Sequence, residues 1–263
     1  MANKYLARED APFGSEIWGV LDATMTEVAK GQLVGRRLLH IEGPFGLGLK
    51  SVPLRDIETE SGFIAGQALP VLLIQQEFTL GARDLAAYEG QGVSLDTSPV
   101  AQAAIDCARM EDELVLNGTA GVPGLLSAEG SNEMKLSAWD KVGVAADDLI
   151  KAITILDNAG FHGPYTLALA PNRYNLLLRL YERGRYSEIE HIGTMITDGI
   201  FKAPILESGG VLLASGRQYA SIVIGQDMTI GFVGPAGDQI EFTISESLTP
   251  HIRQPQAICV LKD

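Results

Sequence analysis

The sequence predicts an α+β fold with one long protruding arm. Three observations point to it. Apolar residues recur at helical spacing in several separate stretches; the last quarter reads as strands; and residues 42–70 carry no helix pattern, although they sit between well-patterned neighbours.

The first helix is expected over 15–33. Ile17, Leu21, Met25 and Val28 fall on one face, and Ser15 is a plausible N-cap. Residues 32–41 read as a turn into a strand. The stretch 42–70 then brings Gly43, Gly46, Gly48, Gly62 and Gly66 together with Pro44, Pro53 and Pro70. It holds strand-like pieces at 51–54 and 63–65. A segment of this length without a helix inside a compact domain is more often functional or outward-reaching. An arm or hairpin packed on a neighbour fits it.

Residues 71–80 read as a strand. A second long helix runs over 99–116, with Ser98 as N-cap and Pro99 at its first position, where a missing N–H costs nothing. Val100, Ala104, Cys107 and Leu114 form its buried stripe, and Asn117-Gly118 ends it. A third helix spans 147–158, with Asp147 and Asp148 at its positive end and Gly160 after it. A strand follows at 165–170. A fourth helix is expected over 172–182, burying Tyr174, Leu177, Leu178 and Tyr181, and then a loop from Arg183 to Ser187. Strands are expected at 211–214, 219–225, 228–233, 239–245 and 258–261, with Pro235-Ala236-Gly237-Asp238 as a hairpin turn.

Composition narrows the function. The chain has 263 residues, with 20 Lys plus Arg against 33 Asp plus Glu, for a net charge of −13. That balance argues against a nucleic-acid or anionic-membrane surface, which needs clustered cations. With 46% hydrophobic residues and a mean hydropathy of +0.13, the chain is no disordered acidic tail and has apolar surface to spare for self-association. The first ten residues contain no apolar core of a secretory signal, and no stretch approaches the roughly 20 apolar residues of a spanning helix. A cytoplasmic location is expected. Cys107 and Cys259 stand alone in apolar settings and read as buried thiols.

A search for catalytic machinery finds little. There is no G-x-G-x-x-G, Walker lysine, G-x-S-x-G, H-E-x-x-H or C-x-x-C. His40, His162, His191 and His251 are dispersed. Glu188, Glu190 and His191 crowd one another, but a solvated acidic loop is the ordinary reading. Glu111, Asp112 and Glu113 diverge by about 100° per residue around a helix, so they form no acid/base pair. No catalytic residue, metal or cofactor is predicted, and the chain is expected not to be an enzyme.

Several ordered segments carry a resemblance. They are Ala11-Pro12 and Trp18; Gly35-Arg36-Arg37 leading to Glu42-Gly43-Pro44-Phe45-Gly46; Phe78-Thr79-Leu80; Glu111-Asp112-Glu113; Gly121-Val122-Pro123-Gly124-Leu125-Leu126-Ser127; Gly163-Pro164-Tyr165-Thr166-Leu167; Gly225-Gln226-Asp227 through Phe232; and Glu246-Ser247-Leu248-Thr249. In this order they resemble the encapsulins, shell proteins whose fold is similar to the major capsid protein of tailed phages. The resemblance implies a phage-capsid-like chain with a peripheral domain, an axial domain and an extended loop. Residues 1–42, with the N-terminal helix, belong to the peripheral domain; 43–75 form the extended loop; 76–133 are peripheral with the long helix; 134–225 are axial; and 226–263 return as peripheral strands.

The resemblance further implies self-assembly of about 60 copies in the smallest icosahedral shell. It also implies a cargo protein held by a C-terminal targeting peptide. Ferritin-like proteins and dye-decolourising peroxidases are the expected cargo classes, so iron storage and oxidative-stress defence are the expected settings. Carried over position by position, the cargo-docking residues are Met25, Val28, Arg36, Leu38, His40, Ile224, Met228 and Ile230. His40 replaces an acidic residue found in some relatives, which weakens the expected pairing with a basic tail. The pore loop carries over as Arg185, Tyr186, Glu188, Glu190 and His191, whose carboxylates would ring a symmetry axis and bias ion entry. Arg83 stands where flavin-binding relatives have Trp, so no flavin is expected. The alternatives are a prophage capsid protein of the same fold and, less favoured, a peptidase or bacteriocin.

Overall fold

The computed structural model describes residues 4–182 and 184–263. Helix α1 (Ser15–Gln32) is followed by a one-turn helix α2 (Gly35–Leu38) and strand β1 (His40–Glu42). The arm holds β2 (Ser51–Pro53), β3 (Ile57–Glu58), β4 (Ile64–Ala65) and β5 (Ala68–Pro70). Strand β6 (Leu72–Gly81) leads to α3 (Ala82–Gln91), and α4 (Ser98–Leu116) leads to a minimal hairpin, β7 (Gly118–Thr119) and β8 (Val122–Pro123). Next come β9 (Asn132–Lys135), α5 (Val144–Asn158), β10 (Tyr165–Leu169), α6 (Pro171–Leu176) and α7 (Glu188–Gly193). Strands β11 (Ile200–Lys202), β12 (Gly210–Ala214), β13 (Ala220–Ala236), β14 (Gln239–Ile252) and β15 (Ile258–Lys262) complete the chain. The expected α+β class is the one observed.

Four local expectations change. Gly14, not Ser15, caps α1, and no side chain bonds there. The helix expected over 172–182 stops at Leu176, because the Leu177 and Arg179 carbonyls accept from Ile189 and Glu188 N–H groups instead of from the next turn. Leu178 is consequently exposed rather than buried. The expected strands 219–225 and 228–233 are one strand, β13.

The chain forms two compact units. The first contains residues up to Leu33, 43–111 and 224–248; the second contains 34–42, 112–223 and 249–263. In the first unit β6 runs antiparallel to β14 with Phe78 opposite Phe242. Their rings stack at 5.0 Å, and Trp18 of α1 meets Phe242 edge-on at 5.9 Å. These offset and edge contacts are the arrangements the ring quadrupole favours. The arm is a two-rung hairpin, with β2 against β5 and β3 against β4. Its end leaves Ile57, Phe63 and Ile64 exposed.

In the second unit the sheet order is β11-β10-β12-β15-β9. Leu149, Ala152 and Leu156 of α5 pack with Leu167, Leu212 and Cys259 of that sheet. The two cysteines are buried thiols that form no disulfide, and burial pushes the Cys259 thiol up to about 11. Asp148 is buried in α5 and ties the preceding segment to it. It accepts from the Ser137 N–H at 2.7 Å, the Ser137 hydroxyl at 2.9 Å, Trp139 Nε1 at 3.0 Å and Lys151 Nζ at 3.1 Å. Burial pushes its pKa up, but these donors outweigh burial and hold the carboxyl below its ordinary value. A lowered folded pKa stabilises the fold above the unfolded value of about 4 and loses that contribution as pH falls through the folded pKa. Asp148→Asn is expected to cost about 2 kcal/mol at pH 7 and to flatten the acid limb of the stability curve. Denaturant unfolding of variant and wild type at neutral and acid pH measures both effects.

Candidate functional site

The face formed by α1 and β13 in the first unit is built where several sequence motifs meet. Gln226 N–H donates to Ser247 Oγ at 2.8 Å, and its side-chain amide donates to Ser245 Oγ at 3.0 Å. The Gly225-Gln226-Asp227 and Glu246-Ser247 motifs are thus two sides of one contact. A Cβ on Gly225 would stand 2.6 Å from Ser247 Oγ, so a side chain there would push that hydroxyl off its bond with the Gln226 N–H. The arm root closes on the same place, with Phe45 N–H donating to the Ile224 carbonyl at 3.0 Å. Beyond it Met228 is half-buried and packs on Ala29, Leu33 and Ala108.

The eight expected docking residues divide between the units. Met25, Val28, Ile224, Met228 and Ile230 lie in the first; Arg36, Leu38 and His40 lie in the second. Met25, Leu38, Ile224 and Ile230 are buried core side chains, with Ile230 fully buried. Within this chain they are core side chains, not surface ones. Val28, Met228 and Arg36 are half-buried, and His40 is exposed on β1, in register with Ser221.

The carboxylate run on α4 proves to be structural. Asp112 accepts from Val34 N–H at 3.0 Å and Gly35 N–H at 2.8 Å, capping the one-turn helix that carries Arg36. Glu111 is buried as well, and Glu113 accepts from the Asn117 amide. A Cβ on Gly35 would come within 2.9 Å of Val115 Cγ1, which is why glycine opens the Gly35-Arg36-Arg37 motif.

The expected pore loop is more ordered than its sequence indicates; Arg183, within that loop, lies outside the described residues. Ser187 and Glu190 form a reciprocal capping box for α7. The Ser187 N–H and hydroxyl hold the Glu190 carboxyl below its ordinary value. Glu188 does not face solvent, so it cannot contribute its charge to a solvent ring. It is fully buried and accepts from Gly143 N–H at 2.8 Å and Ala146 N–H at 3.3 Å, at the start of α5. Arg179 Nη2 stands 3.5 Å from its other oxygen. Tyr181 Oη and His191 Nδ1 are 2.9 Å apart, and the Tyr186 ring packs against both. Burial, then the nearby Glu188, Tyr186 and Asp147 charges, raise the Tyr181 pKa. Arg185, Tyr186 and Glu190 reach solvent.

Among the described residues no group of three or more His, Cys, Asp or Glu side chains is placed to hold a metal ion, and no helix is long and apolar enough to cross a membrane.

Comparison with known proteins agrees with this geometry. A family model described as "encapsulating protein for peroxidase" matches residues 3–249. The type 1 encapsulin shell protein of Myxococcus xanthus is 32% identical over 98% of this chain and 96% of its own length. A ferritin-like–encapsulin shell fusion protein of Pyrococcus furiosus is 32% identical over 73% of this chain and 53% of its own. Among solved structures, a virus-like particle from Pyrococcus furiosus matches with a TM-score of 0.78 at 27% identity, covering 94% of this chain and all of that one. The capsid of the myovirus XM1 matches with a TM-score of 0.62 at 17% identity, over 85% of this chain and 88% of that one, and shows the shared fold alone. A sequence match that runs through both compact units and the whole arm decides between the two kinds of capsid-like protein: the chain belongs to the encapsulin shell-protein family.

Proposed function

We propose that this chain is the single tile of a closed icosahedral compartment of about 60 copies, holding cargo enzymes by a C-terminal targeting peptide. The arm carries this reading. Phe63 is 72% and Ile64 77% exposed at the tip of a hairpin. Exposing such side chains is unfavourable unless a second copy covers them. The expected division into a peripheral domain, an axial domain and an extended loop belongs to the same proposal, as does a cytoplasmic location.

Cargo docking is assigned to the surface that Val28 and Met228 present in the first unit, supported from beneath by Met25, Ile224 and Ile230. The reaction chemistry belongs to the cargo, of which a ferritin-like protein or a peroxidase is the favoured class. Iron storage or oxidative-stress defence would follow from that cargo. A net charge of −13 per chain suits a container for protein better than one lined for nucleic acid, which favours this reading over a phage capsid.

Replacing both Phe63 and Ile64 with Asp tests the assembly. Gel filtration and negative-stain microscopy are expected to show folded small species in place of shells. Intact particles from the double variant would refute the arm's role.

A further inference from the structure

We propose that Leu6–Arg8 is a built-in occupant of a ledge on the α1/β13 face. When vacated, this ledge takes a cargo tail of the same chemistry: an aliphatic side chain, one spacer residue and a cation. The identity of the partner rests on the cargo reading above; the ledge itself does not.

The chain's own segment displays what the ledge recognises. Arg8 makes a two-pronged pair with Asp22 on α1, Nη1 to Oδ1 at 3.1 Å and Nη2 to Oδ2 at 2.7 Å. Its guanidinium also lies 4.0 Å from the centre of the Trp18 ring. A planar cation that stacks on an aromatic face while bridging a carboxylate is what this pair of side chains selects. Two residues earlier, Leu6 lies against Gly231. A Cβ on Gly231 would stand 3.3 Å from both Leu6 Cδ2 and the Leu6 carbonyl oxygen, so the bare glycine makes the shelf on which Leu6 rests. Gly231 is three residues along β13 from Met228, about 10 Å at strand rise. The ledge and the docking surface assigned above therefore share strand β13.

The segment is also held in a way that lets it leave. Neither Lys4–Leu6 nor Arg8–Asp10 contains a buried residue. The Arg8–Asp22 pair is partly open, with side chains 23% and 39% exposed, and pairs in such positions hold weakly. Between the two anchors Ala7 takes φ 49 and ψ 25, the left-handed region that opposes a Cβ. Among the described residues it is the only non-glycine with positive φ. The seated segment thus stores strain at its hinge, and this strain is released when it departs.

The two features predict opposite effects. Arg8→Ala removes an anchor and populates the vacant ledge, whereas Ala7→Gly relieves the strain and keeps the ledge filled. The probe is a synthetic peptide of residues 4–13, labelled at its C-terminus. Wild-type and variant chains are disassembled and reassembled with it, and retained peptide is read against concentration. Arg8→Ala shells are expected to bind at least about fivefold tighter than wild type, since apparent affinity scales with the fraction of competent sites. Ala7→Gly shells should bind more weakly than wild type, and adding Asp22→Asn to Arg8→Ala should abolish the gain. Equal affinities in all variants, or tighter binding by Ala7→Gly, would overturn the proposal. Because the probe is not cargo, such a failure leaves the cargo reading standing. That reading falls separately, if Met228→Glu shells still load a protein bearing the targeting tail.

Discussion

Replacing Gly124 with alanine is expected to destabilise the second unit by about 4 kcal/mol or more, among the largest effects a single methyl group produces. A Cβ at this position would stand 2.6 Å from the Leu116 carbonyl oxygen and 2.6 Å from the Asn117 carbonyl carbon, and closer still to the Gly118 nitrogen. These are all backbone atoms at the end of α4 and the start of β7, and they have no side-chain freedom with which to yield. Gly118 faces the same contact from the other strand and has φ +75 besides. Two backbones therefore touch through two glycines, and the helix end is locked to the hairpin by Leu125 N–H donating to the Val115 carbonyl at 3.0 Å. Gly121, in the same motif, provides the contrast. Nothing lies within 4 Å of its would-be Cβ, and only its φ of +80 opposes a side chain. Gly121→Ala should cost about 1 kcal/mol. A domain of this size loses about 2–4 °C per kcal/mol, so calorimetry should separate the two variants by about 10 °C. Similar melting temperatures would mean that the two glycines do not form a rigid contact.

The same residues show what a sequence discloses and what it hides. Helix α4 was legible because its signals are local: a stripe of Val100, Ala104, Cys107 and Leu114, all buried as expected, and an Asn-Gly end, although Ser98 is its first residue and not its cap. Helix α3 was not, because Leu85 is its one buried residue and leaves no stripe to find. Residues 177–181 repeat apolar side chains like a helix, yet Leu178 and Leu180 point outward. The Leu177 and Arg179 carbonyls accept from Ile189 and Glu188, and Leu180 bridges to Ser187, beyond the reach of a periodicity argument. In β13 the polar Gln226-Asp227 looked like a break. It is none, because the Gln226 amide is satisfied by Ser245 on the adjacent strand. Buried carboxylates were the hardest to read. Glu188 reads as a solvated charge and Asp112 as one of a divergent helical run, and their true partners are N–H groups far along the chain: Gly143 and Ala146 for the first, Val34 and Gly35 for the second. The docking residues expected from the resemblance are positions and not a surface, since spacing does not distinguish Ile230, wholly buried, from Met228, half-open.

Glu188 and Glu190 make that difference measurable. Two residues apart on α7, they would read alike as pore-loop charges, but substitution should separate them. Glu188→Ala is expected to cost about 3 kcal/mol, because it leaves the buried Ala146 N–H and the part-buried Gly143 N–H unpaired and removes a negative charge from the positive end of α5. It also strips Arg179 of its buried counter-charge, although the Arg179 donors to the Leu176 and Trp139 carbonyls, each at 2.9 Å, remain in place. Glu190→Gln leaves the fold nearly untouched, since the amide oxygen can still accept from Ser187. It removes a charge that reaches solvent, so in assembled shells it is the substitution expected to slow cation entry. Glu188→Gln should lower the unfolding midpoint and leave ion entry unchanged wherever the shell survives. Stopped-flow entry of a divalent cation into dye-loaded shells, paired with denaturant unfolding, separates the outcomes. If Glu188→Gln slows entry without lowering stability, the side chain reaches the pore and its role as the cap of α5 is wrong. If Glu190→Gln leaves entry unchanged, the loop's exposed carboxylate does not govern passage, and selection must lie in Arg185 or in the pore's width instead.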